Sequence, residues 1–164
     1  MLVEATIARR HELHQLAVGG VEPAGDVYRI MQIAYPGAFL AMIVEGWATG
    51  WPPAIYVLVG ASVFLAAKAL KTWAIRSLGP FWTFRVIVVP GAALVTAGPY
   101  RYLRHPNYVA VVGELVGVAL MAGASVTGPL VTVFFGALML RRIRIEERAL
   151  AAHSDAGASR RPGR

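Results

Sequence analysis

Two long apolar runs joined by an uncharged turn constrain this chain more than any other feature. Residues 30–48 include Met31, Ile33, Phe39, Leu40, Met42, Ile43 and Val44, and residues 54–75 keep the same character, with only Thr49-Gly50-Trp51-Pro52-Pro53 between them. A hydrocarbon core about 30 Å thick needs roughly 20 apolar residues at the helical rise, so each run has spanning length and the pair predicts a membrane hairpin. Pro36 and Gly37 are expected to bend the first run, while Glu45 and Trp47 mark its interfacial end. Lys68 and Lys71 stand near the far end of the second, where long side chains reach headgroups. Composition points the same way: 57% of residues are hydrophobic and 15% charged, against about 25% charged in soluble domains.

The second half repeats the pattern less strongly. Residues 76–85 form an aromatic, interfacial connection, and 86–90 form an extended apolar piece too short to span. Asn107 is placed to cap a helix over 108–124, which is apolar except for Glu114 and carries Gly113 and Gly117 at a spacing that permits close helix approach. A turn at 125–129 leads into a helix over 130–140 that continues into the charged segment 141–150. The expectation is an all-α integral membrane protein with about four transmembrane helices, or three if the last two form a partly immersed hairpin. Residues 1–27 form a polar N-terminal segment with a short amphipathic helix over 5–18 that can lie at the membrane interface, and 151–164, rich in Ser, Ala, Gly and Arg, reads as a disordered tail.

Charge gives orientation. Lys68, Lys71, Arg76, Arg85, Arg101 and Arg104 occur between residues 68 and 106 without an acid, whereas the turns at 49–53 and 123–129 carry no charge. By the positive-inside rule the chain is a multi-pass protein of the cytoplasmic membrane, with both termini and the 98–108 segment toward the cytoplasm. The net charge of +7 lies in blocks beside apolar runs, which fits anionic lipid headgroups and not nucleic acid. The absence of cysteine removes disulfides, thiolate metal sites and cysteine nucleophiles. His11 and His14 share a helix face, but two ligands without a third make no metal site, and no metal is expected.

The chemistry concentrates in Gly98-Pro99-Tyr100-Arg101-Tyr102-Leu103-Arg104-His105-Pro106-Asn107-Tyr108. A tight hairpin at 124–129 would bring this segment and the charged end of the last helix to the same cytoplasmic side. Arg142 and Glu146, four apart on a helix, share a face as either a ligand site or an ordinary surface pair worth about 0.2–0.5 kcal/mol. Glu114 also requires a partner: a carboxylate in an apolar helix costs about 2.5–3.5 kcal/mol on insertion scales and faces a protein interior, a cavity or a cation.

Gly98-Pro99-Tyr100, Arg104-His105-Pro106-Asn107-Tyr108 and Glu146-Glu147 after two hydrophobic segments resemble the isoprenylcysteine carboxyl methyltransferase family of integral-membrane, S-adenosylmethionine-dependent enzymes. Leu70-Lys71, Trp73, Leu78-Gly79, Trp82-Thr83 and the 144–150 segment extend the resemblance over about residues 57–150 and toward a small bacterial branch, part of which O-methylates alkylresorcinols and alkylpyrones. The resemblance implies that Gly98, Pro99, Tyr100, His105, Pro106, Tyr108, Glu146 and Glu147 hold S-adenosylmethionine, between the loop before the third helix and the end of the fourth. Arg104 or Arg142 suits a carboxylate of the cofactor or substrate, and His105, then Glu114, suits a general base for a hydroxyl acceptor. The implied acceptor is lipid-like: an alkylresorcinol, alkylpyrone or quinone-like compound, with an isoprenylcysteine carboxylate or a phospholipid amine as alternatives. A non-enzymatic lipid-binding or scaffold protein is what the helices and basic blocks alone permit.

Overall fold

The computed structural model describes residues 2–158, with side chains left out at 2–3, 150 and 152–158. Five helices follow in order: α1 (Leu2–Ala17), α2 (Tyr28–Thr49), α3 (Ala54–Leu78), α4 (Pro106–Ala122) and α5 (Thr127–Ala158), with short 3-10 turns at Gly79–Phe81 and Gly98–Arg101. The fold is all-α; among the described residues the β-type pairing given is an isolated antiparallel bridge between Val21 and Val88. The chain divides into two compact units, one holding the described parts of Met1–Tyr28, Leu78–Val95 and Leu140–Arg164, the other Arg29–Ser77 and Thr96–Met139.

The larger unit is built around α4. Ala38 and Met42 from α2, Val111, Leu115 and Ala122 from α4, Ala124, and Phe135 and Met139 from α5 form its core. Small residues let the backbones meet. A Cβ on Gly60 would lie 2.6 Å from the Gly117 carbonyl oxygen, one on Gly117 would lie 2.8 Å from Phe64 N, and one on Gly46 would strike the Ala122 carbonyl. The α4–α5 turn is fixed from α2: Glu45 accepts the amides of Val126 and Thr127, at 2.9 and 2.7 Å, and the Thr127 hydroxyl at 2.6 Å. This carboxylate pairs with the unsatisfied donors at the start of α5 and matches the positive end of its dipole.

The outer surfaces of α2 and α3 are apolar and open, as Ile33 (77% exposed), Leu40 (64%), Leu58 (64%) and Leu65 (65%) show. Only 17% of the most apolar window of each helix is buried, unlike the core helix of a soluble protein.

The four-span expectation is corrected. Two helices among the described residues are long and apolar enough to cross a membrane, Tyr28–Thr49 and Ala54–Phe81, the second counted through the 3-10 turn. The 17-residue α4 rises only about 25 Å, and its Val111, Leu115 and Ala122 serve the core of the unit. The apolar part of α5 is cut short where Arg141 and Arg142 begin. Hydropathy alone does not separate apolar residues that face lipid from those that face other helices. Two boundaries also differ from the sequence reading. His105 takes the cap position of α4, with Pro106 fixing the first helical turn and Asn107 inside it. α5 runs on to Ala158, carried by helix formers such as Ala149, Leu150, Ala151 and Ala152; residues 159–164 of the expected tail lie outside the described residues.

The smaller unit is held by polar clasps. Gln15 is buried and donates to the Pro80 carbonyl at 2.9 Å, and His11 Nδ1 lies 2.9 Å from the Trp82 carbonyl oxygen. Asp26 accepts the amide of Val86 at 3.0 Å and that of Tyr28 at 3.2 Å.

Candidate functional site

The 98–108 segment lies wholly in the larger unit. Gly98 adopts φ +60°, and a Cβ there would collide with Ser77 and sit 3.1 Å from Trp73 Nε1. Glycine is therefore demanded both by the backbone conformation and by the close seat of this turn on the end of α3. Pro99 is buried, and its carbonyl accepts the amides of Tyr102 and Leu103 at 3.1 and 2.9 Å, closing the turn that presents half-buried Tyr100. Pro106 is buried at the start of α4. Just before it, the His105 carbonyl receives the amides of Tyr108 and Val109 at 3.1 and 3.3 Å, and its imidazole stacks on the Tyr108 ring with centroids 5.4 Å apart. Asn107 Oδ1 is buried with no hydrogen-bond partner among the described residues. Arg104 is exposed.

Glu114, also in this unit, is fully buried. The Tyr35 hydroxyl of α2 donates to its Oε2, while Lys68 and Lys71 of α3 bring their ammonium groups to 3.2 and 3.4 Å from Oε1. Oε1 makes no well-aligned hydrogen bond, so the lysines compensate it as ion pairs. The Lys71 ammonium also lies 5.6 Å from the centre of the Tyr35 ring. The carboxylate thus ties α2, α3 and α4 together. Tyr35 and the lysines were not legible as its partners in advance. The three-residue spacing of Lys68 and Lys71 on one helix face was the available signal.

Arg142, Glu146 and Glu147 lie in the smaller unit. Arg142 is buried; its guanidinium donates to the Phe84 carbonyl, and its Nε lies 3.9 Å from Asp26 Oδ1. This braces the 84–86 loop from both sides, a role assigned neither to Arg142 nor to Asp26 by the sequence. Arg85, beside it, has its pKa raised further by the hydrogen bond it donates to Glu22 and by the charges of Glu22 and Glu12. Glu146 is half-buried and Glu147 exposed on α5. The structure therefore gathers Gly98, Pro99, Tyr100, Arg104, His105, Pro106, Tyr108 and Glu114 within one unit, and Arg142, Glu146 and Glu147 within the other.

The sequence matches the isoprenylcysteine carboxyl methyltransferase family over residues 58–152. The chain belongs to this family. Membership makes it an S-adenosylmethionine-dependent membrane methyltransferase, and the matched range contains both polar segments. Among curated relatives, an uncharacterized protein of Bacillus subtilis (strain 168), YpbQ, is 34% identical over 151 residues, covering 92% of this chain and 90% of that protein. An uncharacterized protein of Haemophilus influenzae (strain Rd) is 24% identical over 147 residues, covering 89% of this chain and 86% of its own. No solved structure gives a significant match.

The residues present in the 98–108 segment of this methyltransferase fit the cofactor's chemistry. S-adenosylmethionine carries an ammonium, ribose hydroxyls and an adenine amine, all donors, and Asn107 Oδ1 is a buried acceptor without a partner among the described residues. The stacked His105 and Tyr108 rings offer the aromatic surface that suits adenine or a sulfonium.

Proposed function

We propose that this family member transfers a methyl group to an oxygen of a lipid-like acceptor, with an alkylresorcinol, alkylpyrone or quinone-like compound as the preferred substrate class. The observation that carries the reading is the family match over residues 58–152, which includes the 98–108 segment and Glu146-Glu147. An amphiphilic acceptor is supported by the open apolar surfaces of α2 and α3, along which a hydrocarbon tail can lie while its polar head remains at the cytoplasmic end. The positive-inside rule supports placing the 98–108 segment and both termini toward the cytoplasm.

In this reading Gly98, Pro99, Tyr100, His105, Pro106 and Tyr108, with Glu146 and Glu147, hold the cofactor, and Asn107 supplies an additional acceptor. The bound cofactor supplies an electrophilic methyl on a sulfonium. The protein's own work is alignment and exclusion of water. His105 takes up the proton of a phenolic or enolic hydroxyl, and exposed Arg104 orients an anionic oxygen. Arg142, buried against Phe84 and Asp26, positions the connection around residue 85, and Glu114, paired with two lysines, braces the helices. A carboxylate acceptor, such as that of an isoprenylcysteine-like compound, needs the orienting arginine but no base, and is the second reading that exposed Arg104 supports.

The test is direct binding followed by product identification. Protein purified in a lipid-containing preparation, with its helical signal intact, is expected to bind S-adenosylmethionine, with affinity reduced about tenfold or more by His105→Ala or Glu146→Ala, the loss of about one charge-assisted contact. Absence of binding by the folded parent protein overturns the assignment of the cofactor site. Transfer of labelled methyl is then followed into a total lipid extract and into prenylcysteine analogues. A product without an aryl or enol ether overturns the preferred acceptor class, and a methyl ester supports the carboxylate reading.

A further inference from the structure

The N-terminal helix has a segregated surface that the methyltransferase reading does not use. On α1 the stripe facing its own unit carries Glu4, Ala8, His11, Glu12 and Gln15 at helical spacing, with Ala8 and Gln15 buried. His11 lies 2.9 Å from the Trp82 carbonyl oxygen, and Glu12 comes within 3.8 Å of Arg85. The opposite stripe carries Thr6, Arg9, Arg10, Leu13, Leu16 and Ala17, all exposed and without an acid among them. Leu13 is 63% and Leu16 46% exposed, so two large apolar side chains stand in the open between arginines. A shallow depression of about 270 Å³ on the same helix is lined by Thr6, Ile7, Arg10 and His11.

We infer that this face of α1 docks onto a bilayer surface containing anionic phospholipids, with Arg9 and Arg10 on headgroup phosphates and Leu13 and Leu16 in the acyl boundary. Charge complementarity selects the occupant. The acids of α1 lie on the sheltered stripe, which leaves a face of arginines and apolar side chains, with Thr6 among them and no acid, that suits anionic headgroups above an acyl boundary. A second copy of the same face would bring arginines against arginines. Two basic and two apolar side chains make a weak anchor alone, but only residues 18–27 separate α1 from α2. That tether of roughly 35 Å at most keeps the helix at high effective concentration near the membrane that α2 enters.

The absence of cysteine from the chain makes the test clean. A spin label is attached at Ala17→Cys in the full-length protein. The protein is reconstituted in vesicles of phosphatidylcholine alone or with one part in four phosphatidylglycerol, and accessibility to a water-soluble relaxant is measured. The label is expected to be protected in the anionic vesicles and exposed in the zwitterionic ones. Arg9→Gln with Arg10→Gln should lower the ratio of docked to undocked helix about 30-fold, at about one kilocalorie per basic residue. High salt should act in the same direction on the parent protein, which decides the matter if the double variant does not fold. Equal exposure in the two lipids overturns the inference, as does protection insensitive to lipid charge and salt. Label–label broadening that accompanies protection also overturns it, because a second copy then covers the face.

Discussion

Replacing Glu114 by glutamine tests whether this buried carboxylate is a structural brace. Its side chain is 1% exposed, that of Lys71 7% and that of Lys68 34%, with ammonium–carboxylate distances of 3.4 and 3.2 Å. At an effective dielectric of about 20 each pair attracts by about 5 kcal/mol before desolvation is counted. Desolvation offsets much of this, so the measurable quantity is the penalty of removing one partner and leaving ammonium groups uncompensated, about 3–5 kcal/mol. The two lysines should differ. Lys68 keeps a third of its side chain in contact with the surroundings, and Lys68→Met is expected to cost no more than about 1 kcal/mol. Lys71→Met leaves the carboxylate with Lys68 and Tyr35 and should cost more. In the double variant Glu114→Gln, Lys71→Met, much of the loss should be recovered, giving a coupling energy of about 2 kcal/mol or more. Reversible unfolding in mixed detergent, followed by circular dichroism, reads the four variants against the parent. A Glu114→Gln protein within about 1 kcal/mol of the parent would refute the brace. If its stability is unchanged while methyl transfer is lost, Glu114 acts on the substrate instead.

Two further outcomes follow from packing and capping in the same unit. Gly117→Ala, whose added Cβ meets the Gly60 carbonyl oxygen and Phe64 N at 2.8 Å, should destabilise by about 1–3 kcal/mol. Gly37→Ala, with nothing within 4 Å of the new Cβ, should instead be neutral or stabilise by up to about 1 kcal/mol, as read by the same unfolding assay; equal effects at the two sites would contradict the close α3–α4 approach. Glu45→Ala removes the acceptor shared by Val126, Thr127 and the Thr127 hydroxyl. Amide hydrogen exchange should quicken at residues 126 and 127 while α3 amides stay protected, and unchanged exchange at the turn would count against the clasp.

Much of this was written locally in the chain. Uncharged turns and apolar runs of sufficient length located α2 and α3 because helical rise and bilayer thickness fix the length required. Gly98, the X-Pro steps and the aromatic spacing marked the 98–108 segment because proline restricts its own backbone and that of the residue before it, while glycine alone readily permits a left-handed turn. The pair of large helices and the family motifs needed nothing beyond residue order.

What the sequence by itself determined, then, was the helical class, the two apolar spans and the dense polar segment before α4. Tertiary structure decided how α4 uses its apolar surface, because the same residues suit lipid or another helix until neighbours are known; Leu115 and Phe135 in one core answered that. It also decided the partners of Glu114, Arg142 and Glu45, since each pairing links residues dozens of positions apart. Charge and hydrogen bonding depend on distance in space and on burial, and neither quantity is carried by sequence spacing beyond a turn or two of helix.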